Sequence, residues 1–176
     1  MAEQDRRVRR TRRTLHEAFI ELVLERGYER ITVQDILDRA DVGRSTFYAH
    51  FRDKEALLLA SFDDMREQLR DAIGARPDRP AALLFEHAYR YQVVYRALCG
   101  RQGGGLVHRH LHNVIGGLLR EQLAGECGDL PVDVVAEFHT SAILGLLVWW
   151  IDRDFCHGPE WLADAYRRLA APTMAR

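Results

Sequence analysis

Apolar residues recur at three- and four-residue spacing through almost every long segment of the chain. No stretch alternates strictly between apolar and polar, so the pattern predicts an all-α protein. A first helix sets Leu15, Ala18, Phe19 and Leu22 on one face. It stops at Gly27, a residue suited to the left-handed position just past a helix end. A second helix begins at Thr32. Thr32 followed three residues on by Asp35 has the capping-box form, the hydroxyl accepting from a first-turn amide while the acid answers the cap's own N–H. Ile36 and Leu37 supply its core face. The link Asp41, Val42, Gly43 leads into RSTFYAHF, a compact helix offering Phe47 and Phe51 to the core and leaving Arg44, Ser45, Thr46, Tyr48 and His50 facing largely elsewhere. Asp53 then caps a long fourth helix, whose Leu58, Phe62, Met65, Leu69 and Ile73 recur at helical spacing before it ends near Gly74.

Pro77 and Pro80 break the helical pattern and predict a junction between domains or helices. Beyond it the spacing predicts helices over about 80–98, 105–124, 131–155 and 160–170, with loops over about 100–105 and 125–131. The organisation expected is a head over residues 1–53 and a larger helical domain over 54–176.

At 176 residues and 47% hydrophobic content the chain can bury a real core. A net charge of -1 excludes a uniformly basic nucleic-acid coat, so any such contact must come from local asymmetry. That asymmetry exists: 12 basic face 10 acidic side chains up to Lys54, and 13 face 16 beyond it. The basic excess sits in RRVRRTRR, with Arg6, Arg7, Arg9, Arg10, Arg12 and Arg13. Three widely spaced cysteines, Cys99, Cys127 and Cys156, make no disulfide framework and fit a reducing compartment. The N-terminus lacks an apolar leader, and the longest apolar run, residues 142–151, is short of the roughly 20 residues of a membrane span. A cytoplasmic protein with no membrane partner is expected.

Two short helices joined by a tight turn, with a basic segment before and a capped helix after, have a mechanical use: the second can enter the major groove of double-stranded DNA. Arg44 is able to bond a guanine edge or a phosphate in a bidentate way, and Ser45, Thr46, Tyr48 and His50 can meet bases, methyl groups or backbone oxygens. Thr32 with the first-turn amides behind it, and Lys54, offer donors at helix N-termini, where anions are favoured. The segment containing Arg9 and Arg10 either follows the minor groove or phosphates, or is a solvated terminus.

The stretch ITVQDILDRADVGRSTFYAHFRDKEALL resembles the DNA-binding signature of the tetracycline-repressor (TetR) family of bacterial regulators. Gly27, Tyr28, Thr32, Val33, Ile36, Ala40, Val42, Phe47, Tyr48, His50, Phe51, Lys54, Glu55 and Leu57 carry the likeness. The resemblance implies an N-terminal three-helix helix-turn-helix DNA-binding domain and a C-terminal helical bundle for dimerisation and ligand sensing. It implies that Thr32, Tyr48, His50 and Lys54, the chain's single lysine, touch phosphates and that Arg44, Ser45 and Thr46 face bases. It also implies a repressor that binds a palindromic operator as a dimer and is released by a small-molecule effector. Asp41 stands where the family usually has glycine, and Gly43 where it usually has a serine or threonine cap. Asp tolerates left-handed backbone and Gly is an acceptable N-cap, so the turn is expected to survive.

Past residue 81 the likeness lies in pattern: VVYRALCG, AILGLLVWWIDRDF and the helix after GPEW. The helix over about 131–155 is too apolar around its circumference to stand half exposed, which predicts burial or a homodimer through it and the helix over about 160–170. Two-fold symmetry would set half-sites roughly 34 to 36 Å apart or a multiple of that. Phe85, Tyr89, Tyr91, Tyr95, His139 and Trp149 are either the lining of a small organic effector's pocket or ordinary core and interface packing. Trp149 and neighbouring Trp150 point about 100° apart, so at most one faces a pocket. His108 and His112 have the separation of paired metal ligands, yet no HExxH or CxxC accompanies them, and neither metal nor cofactor is expected. With no phosphate loop or nucleophile elbow, an enzyme is not expected either. The alternative within the regulator class is a dimer that senses a partner protein or has no ligand.

Overall fold

The computed structural model describes residues 2–99, 105–125 and 128–174, and contains no strand among them. The chain forms two compact units, Met1–Ser61 and Phe62–Arg176.

In the first unit, α1 spans Ala2–Arg26, a 3-10 turn spans Tyr28–Arg30, α2 spans Val33–Ala40, α3 spans Arg44–Tyr48 and α4, Lys54–Ala75, begins. Gly27 stops α1 with φ 76, backbone that a β-carbon would strain. Thr32 closes a capping box with Asp35, its hydroxyl accepting from the Asp35 N–H at 3.2 Å while the Asp35 carboxylate accepts from the Thr32 N–H at 2.8 Å. Leu15, Phe19, Leu22, Ile31, Ile36, Phe47 and Phe51 form the buried core. Leu57 and Leu58, in the first turn of α4, are fully buried too. Both belong to the compact unit that runs to Ser61.

Charged pairs tie α2 to α1. Arg39 donates to Glu21 at 3.1 Å and Glu25 at 2.8 Å, and Arg26 donates to Asp35 at 3.0 Å. The Arg39 guanidinium holds the Glu25 carboxyl below its ordinary value. Hydrogen bonds from Thr32, reinforced by Arg26, do the same for Asp35.

The second unit holds the rest of α4, then α5 Pro80–Arg90, α6 Gln92–Cys99, α7 Gly105–Leu123, α8 Val132–Ile151 and α9 Pro159–Met174. Pro77 and Pro80 mark the link between α4 and α5, and Pro80 opens α5, where its missing N–H costs nothing. α8 packs against α5, α6, α7 and α9, and α5 lies along α9. Arg66 and Arg70 of α4 both bond Glu121 of α7, at 2.7 and 3.0 Å. By length and composition α8 is apolar enough to cross a membrane, but half of it is buried inside the unit, with Ile143, Leu144, Leu147 and Trp150 in the core. Trp150 is fully buried: Phe85 meets it edge-on at 6.2 Å, Tyr89 stacks on it at 5.7 Å, and its Nε1 donates to the His157 carbonyl at 3.1 Å.

Two of the differences from the helix boundaries that the spacing predicts have a cause in the core. The helix expected over 80–98 breaks at Tyr91, φ -109 and ψ 30, a bend that buries Tyr95 and Leu98. The Tyr95 hydroxyl then lies 3.1 Å from His87 Nδ1. The helix expected over 131–155 ends at Ile151 because Asp154 and Phe155 turn left-handed, at φ 59 and 54. The Phe155 N–H returns to the Trp150 carbonyl at 2.9 Å and its ring packs on Trp150 at 4.7 Å. Burial of that ring offsets the left-handed backbone.

The Glu25 and Asp35 shifts are both downward, so the stability they bring is complete above the ordinary carboxylate range and drains as pH falls through the lowered values. Urea unfolding of the chain at a series of pH values between about 5 and 3 should show an acid limb that Arg39→Gln partly flattens. An identical limb in the variant would contradict the role given to this pair.

Candidate functional site

α3 is five residues long, too short to hold itself together in water. Its shape is imposed from beneath by Phe47, which is fully buried, and by Phe51, whose ring centroid lies 6.0 Å away. Ahead of it Asp41 takes the left-handed conformation at φ 51, and Gly43 sits at the N-cap without a side-chain hydrogen bond. The turn therefore survives both departures from the resembled pattern. With Phe47 pointing inward, Arg44, Ser45, Thr46 and Tyr48 are exposed together and His50 is half-buried. Tyr48 stands edge-on to Phe47 at 5.4 Å, so its ring is braced while its hydroxyl end reaches solvent. Thr32 is exposed at the start of α2 with its hydroxyl engaged by the Asp35 carboxylate at 2.5 Å.

The only lysine has an internal task. Lys54 Nζ donates to the Ile31 carbonyl at 2.9 Å and the Tyr28 carbonyl at 3.1 Å, reaches the Glu29 carbonyl at 3.5 Å, and lies 4.4 Å from the Tyr28 ring centroid. It closes the 3-10 turn that leads into Thr32. Burial, with Glu55, Glu29 and Asp53 nearby, pushes the Tyr28 hydroxyl up to about 12.

The arginine-rich segment is part of α1. A cleft of about 900 Å³ is lined by Arg7, Val8 and Thr11 of α1 and by Ser45, Thr46, Ala49 and His50. Arg9 and Arg10 are exposed and do not line it. Arg7 of α1 thus lies beside the α3 face. Gln34 of α2 also escaped the sequence reading: it accepts from Arg44 Nη2 at 2.8 Å and donates to Asp38 Oδ1 at 2.7 Å. Its four-residue spacing to Asp38 on α2 was the available signal.

In the second unit the six aromatic and histidine positions differ in burial. Phe85, Tyr95 and His139 are buried, Tyr89 and Tyr91 are exposed, and Trp149 is half-buried, stacked beside Trp161 at 6.2 Å. The Tyr166 hydroxyl lies 2.6 Å from His139 Nδ1, while His139 Nε2 is buried with no hydrogen-bond partner. Burial lowers the His139 imidazole and, with Arg90 adding to it, brings His87 down to about 4. One cleft of about 480 Å³ lies between the start of α5 and α9, lined by Arg79, Ala81, Ala82, Asp164, Tyr166 and Arg167 among others. Another, of about 300 Å³, lies on α8 and α9 between Phe138, Gly145 and Leu169. Neither is lined by any of the six. His112 Nε2 is 3.0 Å from Glu137 Oε1, and the described residues contain no group of three or more His, Cys, Asp or Glu able to hold a metal. Cys127 lies outside the described residues.

The family model for bacterial regulatory proteins of the tetR family matches residues 15–61, and that for a transcriptional regulator C-terminal region matches residues 80–171. YxbF of Bacillus subtilis, an uncharacterized HTH-type transcriptional regulator, is 28% identical over 170 residues, covering 92% of this chain and 45% of its own length. The HTH-type transcriptional regulator TcmR of Streptomyces glaucescens is 36% identical over 74 residues, 42% of this chain and 33% of its own. The chain therefore spans less than half the length of these curated relatives. Among solved structures, a TetR transcriptional regulator from Streptococcus agalactiae superposes with a TM-score of 0.76 at 27% identity, covering 96% of this chain and 97% of that one. The Thermus thermophilus repressor FadR, in complex with lauroyl-CoA, shares the fold with a TM-score of 0.67 at 18% identity, over 94% of this chain and 95% of its own. A short third helix braced by Phe47, a helical second unit and matches across both place this chain in the tetR family of DNA-binding bacterial transcriptional regulators.

Proposed function

We propose that this regulator is a repressor that binds a palindromic operator as a homodimer and leaves it when a small organic effector binds the second unit. The observation that carries the proposal is the outward face of α3, where burial of Phe47 leaves Arg44, Ser45, Thr46 and Tyr48 exposed together. In this reading α3 enters the major groove, Arg44, Ser45 and Thr46 meet base edges, and Thr32, Tyr48 and His50, with Arg9 and Arg10 of α1, meet phosphates. Lys54 serves them from behind: its ammonium is already held by backbone carbonyls and sets the course of the chain into Thr32. Such a protein works in the cytoplasm, beside the DNA.

The dimer reading rests on α8 and α9. Val134, Phe138, Trp161 and Leu169 are between 48% and 73% exposed, and the apolar groove at Phe138, Gly145 and Leu169 lies among them. On α8, positions 134, 138, 141, 145 and 149 fall on one stripe. A second copy of the same stripe covers it and sets two recognition helices against two half-sites. The effector reading rests on His139, whose unpartnered, buried Nε2 is a ready contact for a polar group on an otherwise apolar ligand. Release then needs a difference of roughly 1–3 kcal/mol in effector affinity between the DNA-bound and free conformations.

Selection of bound sequences from random double-stranded DNA should enrich a palindrome. Tyr48→Ala should abolish that enrichment and Arg44→Ala should remove its preference at one base pair of each half-site, and a wild-type protein that enriches nothing would overturn the reading. In binding assays on the enriched site, Lys54→Met should weaken affinity without changing the salt dependence; a slope reduced by about one unit would make Lys54 a phosphate contact instead. A β-carbon at Gly145 meets no atom within 4 Å, so Gly145→Trp should leave the subunit folded and shift a sedimenting dimer to monomer. A wild-type monomer, or an undisturbed variant dimer, would remove this interface.

A further inference from the structure

We propose that Gln34 and Asp38 of α2 form a positioning relay that presets the Arg44 guanidinium for a guanine base, an extension that rests on the DNA-reading face described above. The three side chains are in series. Asp38 Oδ1 accepts from Gln34 Nε2 at 2.7 Å, and Gln34 Oε1 accepts from Arg44 Nη2 at 2.8 Å. Gln34 and Asp38 sit four residues apart on α2, one turn over the other. An ionised carboxylate accepts only, so Asp38 obliges the Gln34 amide to turn its NH2 toward it and its oxygen toward Arg44. A guanidinium donates only, so the oxygen is what it needs there. The order of charges therefore orients the amide one way round, and the amide in turn fixes one arm of the arginine fork.

The consequence is specificity. Reading guanine through O6 and N7 requires two parallel donors in one plane, a geometry that a loosely held arginine adopts only by losing rotamer freedom on binding. Holding Nη2 on α2 before DNA arrives removes part of that loss and leaves the other guanidinium donors for the base. It also disfavours orientations that would let Arg44 settle on a phosphate, where it would carry no sequence information. All three residues are exposed, so replacing Gln34 or Asp38 removes no core packing.

The test compares affinity for the selected operator with affinity for the same operator altered at the base pair whose preference disappears in Arg44→Ala. Gln34→Ala should reduce that ratio about tenfold, the equivalent of about 1.4 kcal/mol, while affinity for random DNA and the salt slope stay within about twofold of wild type. Asp38→Ala, which frees the amide to flip, should lower the ratio as well, and Asp38→Asn, which can still present an oxygen to Gln34, should restore it. In an Arg44→Ala background Gln34→Ala should not further lower affinity for the selected operator relative to random DNA. An unchanged ratio in Gln34→Ala overturns the relay. So does a loss in the Arg44→Ala background, because Gln34 would then read DNA itself. A wild-type protein that selects no operator overturns the DNA-reading face and the relay with it, whereas a selected operator with an unaffected ratio overturns the relay alone.

Discussion

Burial of one phenylalanine organises the head. Five residues of α3 cannot pay for their own nucleation, and the helix exists because Phe47 is fully enclosed. Replacing such a side chain by alanine typically costs about 3–5 kcal/mol, a large share of a small domain's stability. The same burial decides what faces outward: on a single short turn, directing Phe47 inward turns Arg44, Ser45 and Thr46 to solvent. Exposed polar face and hydrophobic anchor are two sides of one geometric constraint.

Polar closure then holds the frame around that anchor. The Thr32–Asp35 capping box starts α2, the Arg39 pairs with Glu21 and Glu25 set it against α1, and the Lys54 ammonium gathers the carbonyls of the turn leading into it. Exposed pairs of this kind contribute little to stability individually. Their value is orientational, because each limits the ways in which α2 can present its N-terminus and α3 can leave the turn. The second unit is organised by burial again, around Trp150, whose neighbours Phe85, Tyr89 and Phe155 come from α5 and from the chain just past α8.

Much of the head was legible in the sequence, since its determinants are local. A glycine at φ 76, a threonine with an acid three residues on, and two phenylalanines four apart each act within a few residues, and periodicity reads such short-range logic well. What escaped depends on contacts distant in sequence. The bend at Tyr91 and the left-handed Asp154–Phe155 step are set by rings returning to a core that the local pattern does not reveal. Lys54 reads as a phosphate contact from the sequence, which does not reveal the Tyr28 and Ile31 carbonyls around it, and Gln34 gains meaning only once Arg44 is seen beside it. Aromatic spacing likewise could not separate pocket from packing: Phe85 and Tyr95 are buried while Tyr91 is exposed, although all three share the same stretch of apolar periodicity.

The central claim, that the Phe47-braced face of α3 reads the major groove, is tested most directly by chemical interference on the bound operator. Methylation of guanine N7 modifies only the major groove, and methylation of adenine N3 only the minor. If α3 lies as described, N7 methylation will block binding at guanines in two symmetric clusters about one helical turn or a multiple of it apart, and N3 methylation between them will not. Interference confined to adenine N3, with N7 methylation tolerated throughout the site, would contradict it.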